Sequence, residues 1–146
     1  MKHGNRNAPK AKPTIVIVAG AWHTPIYIAP LATAPSSQSY PTVPLALPTS
    51  GNANRGLIND VAMITSRWED VIGEQGRDVV LVVHSYGGIS GSAAAGPFVR
   101  SVREKQGKDS SVVAILSMTS LAIPKDTFYA AGDRGEACVV CDGGFA

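Results

Sequence analysis

The sequence lacks the features that mark several classes of protein. Its two cysteines, Cys138 and Cys141, form one CxxC pair. Such a pair is redox-active or half of a metal site in other proteins. Without a second pair or a nearby histidine, we interpret it here as incidental and predict no metal. No apolar run reaches the roughly 20 residues that span a membrane, and no secretory signal is visible. These absences predict a cytoplasmic protein that does not enter a membrane.

Charge of either sign is also scarce outside the N-terminus. The 146 residues carry a formal net charge of +2. Four basic residues lie within residues 1–13, which contain no acidic residue, and the rest of the chain has nine basic and eleven acidic residues. A nearly neutral body has no basic face of the kind that binds nucleic acid. We therefore predict that residues 1–13 form a disordered basic tail, and we expect no nucleic-acid partner.

What the sequence does contain is an alternation of strand and helix patterns. Hydrophobic residues make up 45% of the chain, enough for a buried core. Three runs are typical of strands buried on both faces: Thr14–Val18, Asp78–Val83 and Val112–Leu116. Between the first two, an apolar stripe predicts a helix from Leu57 to about Glu74, with polar residues such as Asp60 mostly off the stripe. The alternation predicts an α/β fold with a doubly wound, mostly parallel sheet.

Prolines set the boundaries in the first third of the chain. Pro25 is a favourable first helical residue, but Pro30 and Pro35 predict that the helix it starts is short. Pro44 predicts that a strand at 42–47 lies at an edge of the sheet or is distorted.

A serine stands between the second buried strand and the following helix. The strand ends in Val82-Val83-His84, and Ser85-Tyr86-Gly87-Gly88 leads into a helix of small residues predicted from about Gly88 to Ala95. In an open α/β sheet, this position lies at the carboxyl ends of the strands, where ligands bind. The N–H groups at the start of the helix favour a developing negative charge beside the serine. The pattern predicts a nucleophilic serine, and the alternative is an ordinary strand-to-helix turn.

This run resembles the nucleophile elbow of the α/β-hydrolase family, G-x-S-x-G, with Val83 at the first glycine position and Gly87 at the last. The segment Val18-Ala19-Gly20-Ala21-Trp22-His23 is similar to the family's H-G-x-x loop, with Ala19 where histidine is common. Together, the two motifs resemble small cofactor-free esterases of the AB hydrolase-1 type over about residues 13–125. The plant methylesterase and hydroxynitrile lyase group is a related comparison.

The resemblance implies roles for three residues. Ser85 would be the nucleophile, and the N–H groups of Ala21 and Tyr86 would donate hydrogen bonds to the oxyanion. It further implies the N-terminal part of an α/β-hydrolase fold, a serine hydrolase, a small ester-like substrate and no cofactor. A lyase of the hydroxynitrile type would use the same turn, and the sequence does not separate the two.

The partners of the serine are missing from their usual place. In the family, the acid and then the base follow the nucleophile in chain order, and no histidine follows Ser85 in this sequence. His3 lies in the basic tail, His84 is expected to point away from the nucleophile, and His23 is a weak candidate for a substitute base. Asp126, which follows the last predicted strand, is a weak candidate for the acid, whereas Asp133 and Asp142 lie in a segment without a periodic pattern.

The periodic pattern fades after about residue 125. We therefore expect a partial α/β-hydrolase domain at 14–125, an irregular tail at 126–146, and a chain that is C-terminally truncated relative to the family. Its sheet would end in an unpaired strand edge, through which the protein would self-associate.

Two other functions stay open from the sequence. The missing base allows a catalytically inactive α/β-hydrolase fragment or a small-molecule-binding pseudoenzyme. The run Gly87-Gly88-x-x-Gly91 after a strand is similar to part of a dinucleotide-binding fingerprint. That alternative ranks lower, because Tyr86 stands where G-x-G-x-x-G requires glycine.

Overall fold

The computed structural model describes residues 11–121 and the backbone of two further strands, β5 (Phe128–Ala130) and β6 (Ala137–Val139). The two strands pair antiparallel, although the sequence predicts an irregular segment at 126–146. Several predictions concern residues whose side chains the structure does not describe. They are those for most of the basic tail, His3, Asp126, Asp133, Asp142, Cys138 and Cys141.

Four parallel strands form the central sheet. They are β1 (Thr14–Val18), β2 (Thr42–Leu45), β3 (Val79–His84) and β4 (Val112–Met118). The strand order is β2-β1-β3-β4, and every neighbouring pair is parallel. The inner strands β1 and β3 correspond to two of the three apolar runs that predict buried strands, and the third run corresponds to β4. Pro44 lies in β2, at one edge of this sheet, as expected for a residue that cannot donate to a ladder.

Helices connect the strands and cover both faces of the sheet. They are α1 (Pro25–Ser37), α2 (Leu57–Trp68), α3 (Gly87–Ala95) and α4 (Arg100–Lys105). A π-helical turn at Glu69–Glu74 continues α2, and a 3-10 turn at Gly96–Phe98 follows α3. The larger core cluster joins Val16 and Val18 of β1 to Trp68 of α2, whereas the smaller joins Ile17 to Ile28 of α1. Alternate side chains of β1 thus face opposite layers, which confirms the doubly wound α/β architecture.

The prediction of a short first helix is wrong. Helix α1 has 13 residues and contains both Pro30 and Pro35. Each proline removes one N–H donor from the helical ladder and crowds the turn before it. The helix nevertheless packs on the sheet through buried Ile28 and partly buried Leu31 and Ala32. We attribute its persistence to this tertiary packing, which outweighs the local preference.

At the other edge of the described sheet, β4 is less well covered than the inner strands. Val112 at its start is buried, but Leu116 and Met118 near its end are 55% and 37% exposed. The prediction that Val112–Leu116 is buried on both faces is therefore wrong, because this strand lies at an edge of the described sheet with little packed over its end. Self-association through this edge stays a prediction.

Candidate active site

Ser85 follows β3 directly and begins the tight turn into α3. Its backbone lies in the left-handed region, with φ of 51°, a conformation that costs a residue with a side chain roughly 1–2 kcal/mol. Hydrogen bonds from nearby residues hold Ser85 in this conformation. The Ser85 carbonyl accepts hydrogen bonds from the N–H groups of Gly88 at 3.1 Å and Leu121 at 3.0 Å. The Ser120 hydroxyl donates to the same carbonyl at 3.3 Å. Such over-determined strain is typical of functional positions.

Two glycines after Ser85 let this turn pass close to the backbone around it. A Cβ on Gly87 would lie 2.5 Å from the carbonyl oxygen of Ala19, and one on Gly88 would overlap the Ser120 hydroxyl. Real side chains do not approach backbone atoms so closely. We call residues 83–88 the Ser85 turn, and its tight geometry depends on the absence of side chains at 87 and 88.

Val83 occupies the position where the G-x-S-x-G pattern has its first glycine. Its side chain is buried in the larger core cluster. Gly91, one turn into α3, provides the space, since a Cβ there would lie 2.8 Å from Cγ1 of Val83. The departure from the pattern is therefore accommodated by a second glycine and does not disturb the turn.

The loop after β1 lies against the Ser85 turn. A Cβ on Gly20 would lie 3.0 Å from Cβ of Ser85, so the two segments that the sequence singles out are brought together. Ala21 follows Gly20 in this loop and is partly buried, and Trp22 after it is 84% exposed with φ of 62°. Tyr86 is the residue immediately before α3. The roles of the Ala21 and Tyr86 N–H groups remain predictions.

Two imidazoles flank Gly20 beside the turn. The Nδ1 atoms of His84 and His23 would lie 3.1 and 3.2 Å from a Gly20 Cβ. The two rings meet edge to face at 5.3 Å between centroids. His84, expected to point away from the nucleophile, is thus in contact with the loop that lies on Ser85. Within the described residues, however, no hydrogen bond joins either ring to the Ser85 hydroxyl.

The environment of His23 defines its tautomer. Its Nδ1 lies 3.0 Å from the carbonyl oxygen of Ala21. A carbonyl only accepts hydrogen bonds, so Nδ1 must carry the proton and donate it. In the neutral ring, Nε2 then has the free lone pair that a base requires.

Asp60 is a site residue that the sequence reasoning missed. The apolar stripe predicts that Asp60 lies on the polar side of α2, but it is completely buried. Spacing carries a signal for this, because Asp60, Ile64 and Trp68 recur every four residues and so share one face of the helix. Ile64 and Trp68 are also completely buried.

Three hydrogen bonds converge on the Asp60 carboxylate. Thr49 donates its backbone N–H to Oδ1 at 3.0 Å and its hydroxyl to Oδ2 at 2.9 Å. The hydroxyl of Tyr86 donates to Oδ2 at 3.2 Å. Burial raises the pKa of Asp60 above its usual value, and the three hydrogen bonds oppose that rise. The carboxylate thus connects α2, the loop after β2 and the residue next to Ser85.

The described residues contain no group of three or more His, Cys, Asp or Glu side chains that could hold a metal ion. Over the same part of the chain, no helix combines the length and the apolar character that crossing a bilayer requires.

A family model, that of the alpha/beta hydrolase family, matches residues 15–138. The chain belongs to the α/β-hydrolase family. In this member, both segments that carried the resemblance lie within the matched range, at the carboxyl ends of β1 and β3. The two inner strands of the parallel sheet therefore lead into both segments, which meet around Gly20.

Comparisons with individual proteins give weaker matches than the family model. No curated protein matches the sequence. Among solved structures, a candidate carboxylesterase from Lactobacillus plantarum WCFS1 is similar, with 17% sequence identity and a TM-score of 0.47. The alignment covers 83% of this chain and 52% of that protein, so the chain spans about half its length.

Proposed function

We propose that this chain carries the nucleophile and oxyanion-binding part of a serine hydrolase that acts on small carboxylic esters. One observation carries the proposal: a serine in the left-handed region at the end of β3, packed against the loop that follows β1. Membership of the α/β-hydrolase family supports it. No metal or cofactor takes part in the proposed reaction.

In the proposed reaction, the Ser85 hydroxyl attacks the ester carbonyl carbon and gives up its proton to a base. The carbonyl electron pair moves onto oxygen, and the N–H groups of Ala21 and Tyr86 stabilise this oxyanion. Collapse of the intermediate breaks the bond to the alcohol, which leaves with a proton, and water then hydrolyses the acyl-serine. His23 Nε2 is the candidate proton acceptor among the described residues, although it lacks a hydrogen bond to the serine. We therefore expect turnover to be slow.

A fluorophosphonate probe tests the nucleophile without requiring turnover. Ser85 would attack phosphorus and release fluoride, leaving a stable adduct visible by intact mass and peptide mapping. We expect labelling of the wild type, none of Ser85→Ala, and unchanged labelling of Ser101→Ala, which alters an exposed serine of α4. Circular dichroism confirms that all three proteins are folded. A folded wild type that stays unlabelled, or a Ser85→Ala variant that labels equally, contradicts the proposal.

The same experiment addresses a second function. Within the described residues, neither His23 nor His84 is hydrogen-bonded to the Ser85 hydroxyl, and this favours a protein that binds small esters without hydrolysing them. A folded, unlabelled wild type that binds a non-hydrolysable ester analogue would favour this pseudoenzyme over a hydrolase.

A further inference from the structure

A buried carboxylate without a positive partner lies beneath the Ser85 turn. Asp60 is completely buried, and no lysine, arginine or histidine within the described residues pairs with it. A buried carboxylate is costly unless its oxygens are well hydrogen-bonded. An apolar residue on this face of α2 would avoid the cost, as Ile64 and Trp68 do. Packing alone therefore does not explain why a carboxylate occupies this position.

The hydrogen bonds of Asp60 link it to the residue that follows Ser85. Both oxygens are fixed by Thr49, which leaves Oδ2 oriented to accept a second hydrogen bond, from Tyr86. An ionised carboxylate only accepts, so the Tyr86 hydroxyl must donate to it. The link joins two residues 26 positions apart in sequence and extends from α2 to the residue that follows Ser85.

The ring of Tyr86 packs against the larger core cluster, and its hydroxyl adds a polar contact to α2. Helix α3 begins after Tyr86 without a side-chain cap, so the usual device that fixes a helix start is missing. Ser85 is held through its carbonyl on the β4 side of the turn. The hydrogen bond from the Tyr86 phenol to Asp60 is therefore a polar tether on the α2 side, beside the packing of the ring.

We propose that Asp60 is a positioning residue: by holding the Tyr86 hydroxyl, it fixes the Tyr86 backbone N–H at the oxyanion position beside Ser85. This inference rests on the proposed function, because it concerns the same site. Asp60 itself does not touch the substrate. Its effect reaches the reaction through the ring and backbone of Tyr86, and Thr49 orients the carboxylate for that purpose.

The test combines Tyr86→Phe, which removes only the hydroxyl, with Asp60→Asn and the double variant. Tyr40→Phe is the matched control, since it deletes a phenol hydroxyl in front of β2, away from the turn. Fluorophosphonate labelling of Ser85 is measured as a saturation rate and an apparent binding constant. We expect the saturation rate to fall on the order of tenfold in Tyr86→Phe with binding nearly unchanged. Full loss of an oxyanion donor costs about 100- to 1,000-fold.

A merely structural role predicts different results. It would lower the thermal midpoint and leave the labelling rate of the folded protein unchanged. If Asp60 acts through the Tyr86 hydroxyl, the double variant labels no more slowly than Asp60→Asn alone. Additive losses would contradict the link, and so would a Tyr86→Phe variant that labels at the wild-type rate.

Amide hydrogen exchange separates this inference from the proposed function. We expect the amides of residues 86–88 to exchange faster in Tyr86→Phe and unchanged in Tyr40→Phe. If the wild type fails to label, the proposed function falls, and exchange still decides whether Asp60 fixes the turn. If the wild type labels and Tyr86→Phe matches it in both rate and exchange, the inference falls and the proposed function stands.

Discussion

Gly87 is the position at which the Ser85 turn comes nearest to the backbone of the neighbouring strand. A Cβ there would lie 2.5 Å from the Ala19 oxygen and 2.6 Å from the Val18 oxygen. Both obstacles are main-chain atoms at the end of β1, which cannot rotate away as the end of a flexible side chain can. Gly87→Ala therefore forces β1 and α3 apart.

The expected loss follows from this geometry. Overpacking a well-packed interior costs about 1–3 kcal/mol, and two main-chain contacts place Gly87→Ala at the upper end. Folded domains have free energies of unfolding of about 5–15 kcal/mol, so such a loss is large. Urea unfolding followed by circular dichroism measures it, with an expected midpoint lower by roughly 1–3 M.

Gly73→Ala is the matched control. A Cβ on Gly73 would meet no atom within 4 Å, and its φ is not in the left-handed region. The same substitution there is expected to raise the free energy of unfolding by about 0.5–1 kcal/mol, because alanine restricts the unfolded chain. A Gly87→Ala variant as stable as wild type, or equal losses in both variants, would refute the reasoning.

Two more stability predictions concern residues near the turn. Because burial raises the pKa of Asp60, its contribution to stability is greatest below pH of about 3.8 and is lost as the pH rises through the raised pKa. We therefore expect the free energy of unfolding of the wild type, minus that of Asp60→Asn, to fall between about pH 3.5 and about pH 7. Urea unfolding at both pH values measures this difference, and a rise with pH would contradict the reasoning. Val83→Gly restores the family's usual glycine, yet it should cost about 2–3 kcal/mol in the same assay, because it empties the space beside Gly91. Stability at or above the wild-type value would show that Val83 does not fill that space.

The sheet was predictable because its inner strands are buried on both faces. Thr14–Val18 was predicted with the bounds of β1, and Asp78–Val83 differs from β3 by one residue at each end. Continuous β-branched and aliphatic runs have few other stable arrangements in a chain of this composition. The elements that were harder to predict depend on tertiary contacts. Local rules end α1 at its prolines, and only its packing on the sheet shows why it continues.

The site divides in the same way. The Ser85 turn and the loop after β1 were predictable because a close approach of two backbone segments requires glycine at fixed positions. Such glycines can be recognised in the sequence. Asp60 was missed because a carboxylate in a helix is ordinarily assigned to solvent. Its hydrogen-bond partner Tyr86 lies outside α2, and no local sequence pattern predicts a hydrogen bond between the two residues. Only the four-residue spacing from Ile64 and Trp68 pointed inward.

Two features that reduce stability therefore meet at one turn. Ser85 is held in a left-handed backbone conformation, and the carboxylate of Asp60 is buried without a cation. A turn that served only to connect β3 and α3 could use glycine at 85 and an apolar side chain at 60, and both would cost less. Tyr86, which follows Ser85, is hydrogen-bonded to Asp60. Local rules that are broken together at one turn are more characteristic of a functional site than of a connection. This convergence supports placing the chemistry at Ser85, and it predicts that Asp60→Asn slows the reaction of the serine.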